Sequence, residues 1–399
     1  MEKLKNIPSL RFPEFEENWR INTLGELIKI KSGNSPSTFT LLENGIYPFI
    51  KVEELNNCSK YQSLSRFYSN NKKYLIDEFS VIFPKRGAAI LNNKVRINVC
   101  PILMDSNMMA ITPLKGKINH EFLYYKIIKE ELYKIADTST IPQINNKHIE
   151  PYKIIYPSLP EQTKISSFLT AVDDKLQALK QKKTLLEKHK KGLMQKIFSQ
   201  ELRFKDDNGN GYPDWGVTKL GEILIEKNEK TSSSGQHRIL SSTAKGLFNQ
   251  DEYFTRDIAS KDNTGYKILR KYQLVFSPQN LWLGNINVNM NFEIGIVSPS
   301  YKIFSFDEKF TIAEYCQYFL LTPKMMFEYE QSSTQGASVV RRNLDMDKFL
   351  SIEFLLPSID EQTKIATFLS AIDDKINHCQ VQIEKMEVWK KGLLQQMFV

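Results

Sequence analysis

Residues 156–176 read YPSLPEQTKISSFLTAVDDKL, and residues 356–376 read LPSIDEQTKIATFLSAIDDKI. Extended to Tyr156–Phe198 against Leu356–Phe398, the match needs no gap and keeps 20 of 43 positions identical, with EQTKI, FL, DDK and KKGL in fixed register. Unrelated helices share scattered Leu and Lys, not such blocks, so the chain carries an internal duplication. A period of 200 residues is too long for a solenoid and matches a domain plus a connector.

A weaker echo marks the start of each copy. Leu10-Arg11-Phe12, Trp19 and Leu24-Gly25-Glu26 return as Leu202-Arg203-Phe204, Trp215 and Leu220-Gly221-Glu222, with the turn-rich KDDNGNGYPD absorbing a four-residue difference in spacing. The chain therefore reads as two units, about 9–200 and 201–399. Each has an opening motif, a variable middle and a closing helix.

The closing helices have their own signals. Ser158 with Glu161, and Ser358 with Glu361, have the spacing of a capping box, in which the glutamate reaches back to the serine N–H. Downstream, Ile165, Leu169, Val172, Leu176, Leu179, Leu186, Leu193 and Ile197 recur at spacings of three and four, Lys183 and Lys190 taking two places in the series. The second copy has Ile365, Leu369, Ile372, Ile376, Cys379, Ile383, Met386, Leu393 and Met397. Such a seam predicts a coiled coil. At about 1.5 Å per residue, Ile165–Ile197 spans roughly 50 Å. One apolar stripe on each of two such rods favours pairing them, against the alternative that they merely pack within a core. Asp173-Asp174 and Asp373-Asp374, next to Lys175 and Lys375, read as a solvated face, because neighbours on a helix diverge. Gly192 and Gly392 interrupt good helix formers; a close helix contact or a bend would account for them, as would tolerance near a fraying end.

The middles differ in sequence but run in the same order. YPFIKV, SVIFP, INVCPI and NMMAIT are strand-like in the first, QLVFSP, NINVNM and SYKIFSF in the second; NHEFLYYKIIKEELYKIA and IAEYCQYFLLTPKMMFEYE read as helices.

The 399 residues are 41% hydrophobic and 25% charged, the profile of a folded protein. MEKLKNIPSL has no apolar signal-peptide core, and no apolar run approaches a membrane span, so a cytoplasmic location is expected. Cys58, Cys100, Cys316 and Cys379 have no metal-ligand spacing and read as reduced thiols. The net charge of +8 is uneven: residues 1–200 carry 31 Lys and Arg against 20 Asp and Glu. The excess concentrates in 60–96, where Lys60, Arg66, Lys72, Lys73, Lys85, Arg86, Lys94 and Arg96 face only Asp77 and Glu78. Tyr61, Phe67, Tyr68 and Tyr74 are interleaved with them. Basic side chains neutralise phosphates, and an arginine at a turn such as Lys85-Arg86-Gly87 can grip a guanine edge, or simply sit at a solvated hairpin tip. In the second middle Gln279, Asn280, Arg341 and Arg342 are candidates for base contacts, with Arg238 and Lys245 for phosphates. Trp282, in NLWLGN, reads equally as a core or interface residue. No adenine-methylation tetrad, glycine-rich cofactor loop or Walker A sequence is present, and Asp307-Glu-Lys309 is too short a match to carry a nuclease site.

Taken together, the paired helices with LPSL-EQ-KI-FL-DDK and KKGL-Q-F, repeated after two dissimilar middles, resemble the DNA-specificity subunit of a type I restriction–modification system. YPFIKVEELNN (47–57), VIFPKRGAAI (81–90) and TIPQIN (140–145) resemble its recognition-domain motifs, and LVFSPQNLWLGNI (274–286) stands where VIFPKRG does. The resemblance implies an α+β fold: target-recognition domains at 1–155 and 201–355, separated by a long antiparallel two-helix coiled coil formed by 156–200 and 356–399, with internal pseudo-twofold duplication. It implies a non-catalytic subunit that reads an asymmetric, bipartite target on double-stranded DNA, one half-site per domain. Two methyltransferase subunits, and restriction subunits through the complex, are the implied partners. No cofactor is expected in this chain; S-adenosylmethionine and ATP with Mg belong to the partners. Two rivals remain, a specificity subunit of another restriction class and a coiled-coil scaffold with two protein-binding domains.

Overall fold

The computed structural model describes residues 7–137, 141–253, 262–335 and 342–399. The chain divides into two compact units: residues 1–180 with 381–399, and residues 181–380.

In the first unit the strands Arg20–Thr23 and Lys153–Tyr156 pair antiparallel, Arg20 opposite Tyr156, and bring the two ends of the variable middle side by side. Between them lies a five-stranded sheet ordered Ile28–Ser32, Met108–Pro113, Val81–Pro84, Arg96–Asn98 and Tyr61–Gln62, antiparallel except for its last, parallel pair. Val81–Pro84 is buried along its whole length, as a central strand should be. A second sheet orders Tyr68–Ser69, Tyr47–Ile50 and Leu103–Met104. The helical stretch predicted after Asn119 forms as His120–Glu130, with Asn119 Oδ1 accepting from the N–H groups of Glu121 and Phe122. It breaks at Glu131, whose φ is 61°, before a short turn of helix at Leu132–Ile135.

The second unit repeats the frame. Gly216–Lys219 pairs antiparallel with Glu353–Leu356, Gly216 opposite Leu356. Inside are an antiparallel sheet ordered Leu224–Lys227, Lys302–Phe306, Leu274–Phe276 and Ile286–Val288, the hairpin Leu240–Thr243 with Gly246–Asn249, and the pair Lys267–Arg270 with Ile294–Val297. The second predicted helical stretch divides into Ala313–Phe319 and Pro323–Gln331, the proline standing at the first turn, where its missing N–H costs nothing.

The long helices are Leu159–Phe198 and Ile359–Met397. They pair antiparallel, and the pairing is visible within each unit separately. In the first, Lys180 meets Glu387 at 2.6 Å and Asp173 meets Lys390 at 2.6 Å, so positions rise on one helix as they fall on the other. In the second, Lys190 meets Asp373 at 2.6 Å. The expected seam residues are also core residues. Ile165, Leu169 and Val172 share one hydrophobic core with Leu393, Met397 and Phe398, and with Phe122 and Ile154 of the middle. Ile365, Leu369 and Ile372 share the other with Ile197, Phe276 and Phe354, Leu193 and Ile376 packing at its edge. Leu179 and Ile383 are buried, and Leu176 and Leu186 are half-buried.

Several of the repeated motifs have a structural reason. Glu161 and Glu361 are fully buried and do not serve as the far arm of a capping box. The Glu161 carboxylate accepts from Arg11 at 2.7 and 2.8 Å and from the Trp19 indole at 3.2 Å. Glu361 accepts from Arg203 at 2.8 and 2.9 Å and from Trp215 at 2.9 Å. A buried carboxylate needs a cation and filled lone pairs, and these are stronger partners than a serine N–H. Ser358 still caps, its Oγ accepting from the Glu361 N–H at 3.4 Å. Gln162 and Gln362 tie the helix starts to the middles: Gln162 accepts from the Asn119 N–H at 2.8 Å, Gln362 from the Ile312 N–H at 3.1 Å. In Leu-Gly-Glu, a Cβ at Gly25 would lie 3.1 Å from the Glu150 carbonyl oxygen, and one at Gly221 equally close to that of Leu350.

The acidic pairs correct an expectation. Asp173 is not part of a solvated face; it accepts from the Tyr125 hydroxyl at 2.7 Å as well as from Lys390. Asp373 accepts from Tyr318 at 2.8 Å beside Lys190. Asp174 and Asp374 are exposed, as expected. Nor does close contact explain the helix glycines: nothing lies within 4 Å of a Cβ built at Gly192 or Gly392.

Candidate nucleic-acid interface

The basic run of the first unit is divided by the fold. Lys60 lies inside. It donates to Thr170 at 2.6 Å and Tyr125 at 3.2 Å, pairs with Glu121 at 3.4 Å, and stands over the rings of Tyr61, Tyr124 and Tyr125. Burial lowers its pKa, with Glu121 opposing. Arg96 turns inward onto the Cys58 carbonyl at 2.9 Å, and Lys94 donates to Asn56 at 2.6 Å. Arg66 is exposed, but its guanidinium is engaged by Glu54 at 2.7 Å and by Glu53. Lys72 and Lys73 are exposed, Lys73 over the Tyr74 ring.

Lys85 and Arg86 follow the buried strand Val81–Pro84, on a loop fixed from both sides. The Lys85 N–H donates to Asn107 at 2.8 Å, the Lys85 carbonyl accepts from Ile144 at 2.9 Å, and the Gly87 N–H donates to Pro142 at 2.9 Å. Gly87 makes the turn at φ +80°, where a side chain would be strained. Half-burial and then the Arg86 charge lower the Lys85 pKa, Asp105 opposing. Arg86 is exposed, and with the Gln143 amide turned to satisfy both groups, Gln143 Oε1 accepts from Arg86 at 2.9 and 2.7 Å. Gln143 lies within TIPQIN, but it was not among the expected contact residues; only the fold brings it to Arg86.

In the second unit Gln279 is exposed on the loop after Leu274–Phe276, and its carbonyl accepts from the Arg342 N–H at 3.2 Å. Asn280 is half-buried, its N–H on Ser277 at 3.1 Å. Arg342 is turned inward: its guanidinium carbon lies 4.2 Å from the centre of the Trp282 ring, and it pairs with Glu330 at 3.0 Å. Trp282 thus supports an arginine. Arg238 and Lys245 are exposed, Lys245 at the turn of the hairpin Leu240–Asn249. Arg341 lies outside the described residues. Asp307 of the D-x-K tripeptide holds a turn, accepting from the Lys309 N–H at 3.1 Å. Among the described residues no group of His, Cys, Asp and Glu is arranged to hold a metal, and no helix is long and apolar enough to cross a membrane.

Two repeated frames around dissimilar middles is an arrangement that known proteins share. The family model described as "Type I restriction modification DNA specificity domain" matches twice, over residues 16–188 and 212–385. The chain belongs to this family. Both variable middles lie within the matched residues. Among curated relatives, the type I restriction enzyme MjaIX specificity subunit of Methanocaldococcus jannaschii is 27% identical over 304 residues, 69% of each chain. The putative MjaX specificity subunit of the same organism is 23% identical and covers 98% of this chain and 95% of its own. The crystal structure of the type I restriction–modification S subunit from M. genitalium superposes with a TM-score of 0.58 at 17% identity, covering 98% of this chain and 99% of that one. A structure described as the basis of complex assembly and conformational transition of the type I system gives 0.58 at 13% identity, covering 95% and 97%. These likenesses show the fold: two mixed α/β domains, each framed by one end of either long helix.

Proposed function

We propose that this chain is the DNA-reading subunit of a type I restriction–modification complex, in which each variable middle reads one half of a bipartite, asymmetric target. One observation carries the reading. The frame is duplicated down to individual hydrogen bonds, Arg11–Glu161–Trp19 against Arg203–Glu361–Trp215, while the loops it carries differ, Arg86 with Gln143 against Gln279 with Arg342. A frame kept constant around changed loops suits two equivalent partner seats and two different half-sites. In this reading the long helices seat two methyltransferase subunits, with restriction subunits joining through the complex. S-adenosylmethionine is bound by the methyltransferase, ATP with Mg by the restriction subunit, and this chain carries out no bond-making step. Exposed Lys72, Lys73, Arg238 and Lys245 contribute phosphate contacts, which position the duplex without reading it.

The test exchanges residues 220–355 for the corresponding segment of a relative and maps methylated bases across the genome of cells carrying the chimera with its partner subunits. One half of the target should change and the other stay. A change in both halves, or methylation without a defined sequence, would reject the reading. The strand pairs that close each middle make the exchange feasible, because the chain enters and leaves at adjacent points.

A further inference from the structure

We propose that Arg86 and Gln143 form a single base-reading unit, in which Gln143 positions the guanidinium and Arg86 contacts the major-groove edge of a guanine. The inference rests on the reading of the first unit as a DNA-recognition domain. Arg86 is exposed, yet the backbone around it is held on both flanks, through Lys85 with Asn107 and Ile144, and through Gly87 with Pro142. The side chain is held as well, because two of its five N–H groups end on Gln143 Oε1 at 2.9 and 2.7 Å. What remains are three N–H groups of the guanidinium. The paired tip therefore offers donors and no acceptor.

That pattern selects a base. Guanine presents two adjacent acceptors, N7 and O6, in the major groove; adenine places a donor beside N7, and cytosine offers a donor. The partner's neutrality matters too. A glutamine orients the fork while leaving its full charge for DNA, whereas a carboxylate would cancel it. Two other candidate arginines show that contrast: Arg66 is engaged by Glu54 and Glu53, and Arg342 by Glu330 beneath the Trp282 ring. Fixing a rotamer-rich side chain before binding also lowers the entropy lost on contact, which sharpens discrimination.

The experiment uses the full chain with its methyltransferase subunits and a panel of duplexes carrying every single-base change in the target that genome-wide methylation defines. Arg86→Ala should lose about 5- to 100-fold of discrimination at one G·C pair of one half-site, all other positions keeping theirs. Arg86→Lys keeps the charge without the fork, and should lose the same discrimination while holding its affinity for unrelated DNA. Gln143→Ala should lose part of it at that same pair. Uniform weakening across the panel would make Arg86 a phosphate contact and overturn the proposal. So would a Gln143→Ala variant of unchanged thermal stability whose preference at that pair is intact, or altered at another. A wild-type complex that prefers no sequence would instead reject the reading of the domain itself.

Discussion

Arg11 and Glu161, 150 residues apart in sequence, meet at 2.7 Å with the carboxylate 1% exposed, and Arg203 and Glu361 repeat the contact at 2.8 Å. In both places an indole N–H completes the carboxylate's shell, Trp19 in one and Trp215 in the other. Removing one partner of such a pair strands a buried charge. Arg11→Ala and Arg203→Ala should each destabilise their own unit by about 3–5 kcal/mol. Urea unfolding followed by a probe placed in each unit in turn would show it. A loss shared equally by both units, or one below about 1 kcal/mol, would mean the pair does not hold the frame.

Asp173 with Lys390, and Asp373 with Lys190, make a second duplicated contact, each sealed by a tyrosine hydroxyl. These pairs are partly screened by solvent, so their coupling should be modest. A double-mutant cycle with Asp173→Asn and Lys390→Met should give about 1 kcal/mol, and the cycle at Asp373 and Lys190 a similar value. Additive single and double changes would remove the pair from the account of helix register.

Acid should weaken the first unit through two carboxylates. Burial on its own raises Glu121, but the hydroxyl of Tyr61, the ammonium of Lys60 and the hydroxyl of Thr170 together bring its pKa below the usual 4.5. Glu130 behaves alike, burial raising it while Lys126 and the Tyr152 hydroxyl lower it further. A carboxylate whose folded pKa is depressed contributes stability that is present above its unfolded value and lost as pH falls through the folded one. The stability gap between wild type and Glu121→Gln should therefore be constant from pH 7 to about pH 5 and narrow below about 4.5. A gap that stays constant down to pH 3 would contradict this origin.

The frame was legible in the sequence because it is written twice: two copies of Glu-Gln-Thr-Lys-Ile in register announce a long helix, and two copies of Leu-Arg-Phe and Trp announce something fixed. What those residues hold was not legible, since Arg11 and Glu161 are brought together only by the fold, and Ser-x-x-Glu is also a valid capping signal. The role of Asp173 is hidden from the sequence for a related reason. Its partner Lys390 lies on the other helix, and neighbour rules within one helix cannot see it. The strands at 47–50, 81–84 and 108–113 followed from apolar runs, whereas the break at Glu131 depends on a local backbone turn that no periodicity records. Within the basic run, counting charge could not separate Lys60, which is buried, from Arg86, which is not, and the Gln143 beside Arg86 carries no charge to count.

Gly192 and Gly392 stand at matched positions of the two long helices with open space where a Cβ would go. Glycine within a helix costs about 1 kcal/mol relative to alanine. In the isolated chain, then, Gly192→Ala and Gly392→Ala should each raise stability by about 0.5–1 kcal/mol, read from urea midpoints. If the helices seat the methyltransferase subunits at these faces, a bulkier change should separate assembly from folding. Gly392→Trp should leave the chain folded and lower the occupancy of one partner in native mass spectrometry, Gly192→Trp that of the other, and the double variant that of both. Full occupancy of both partners in the double variant would place the seats elsewhere on the helices.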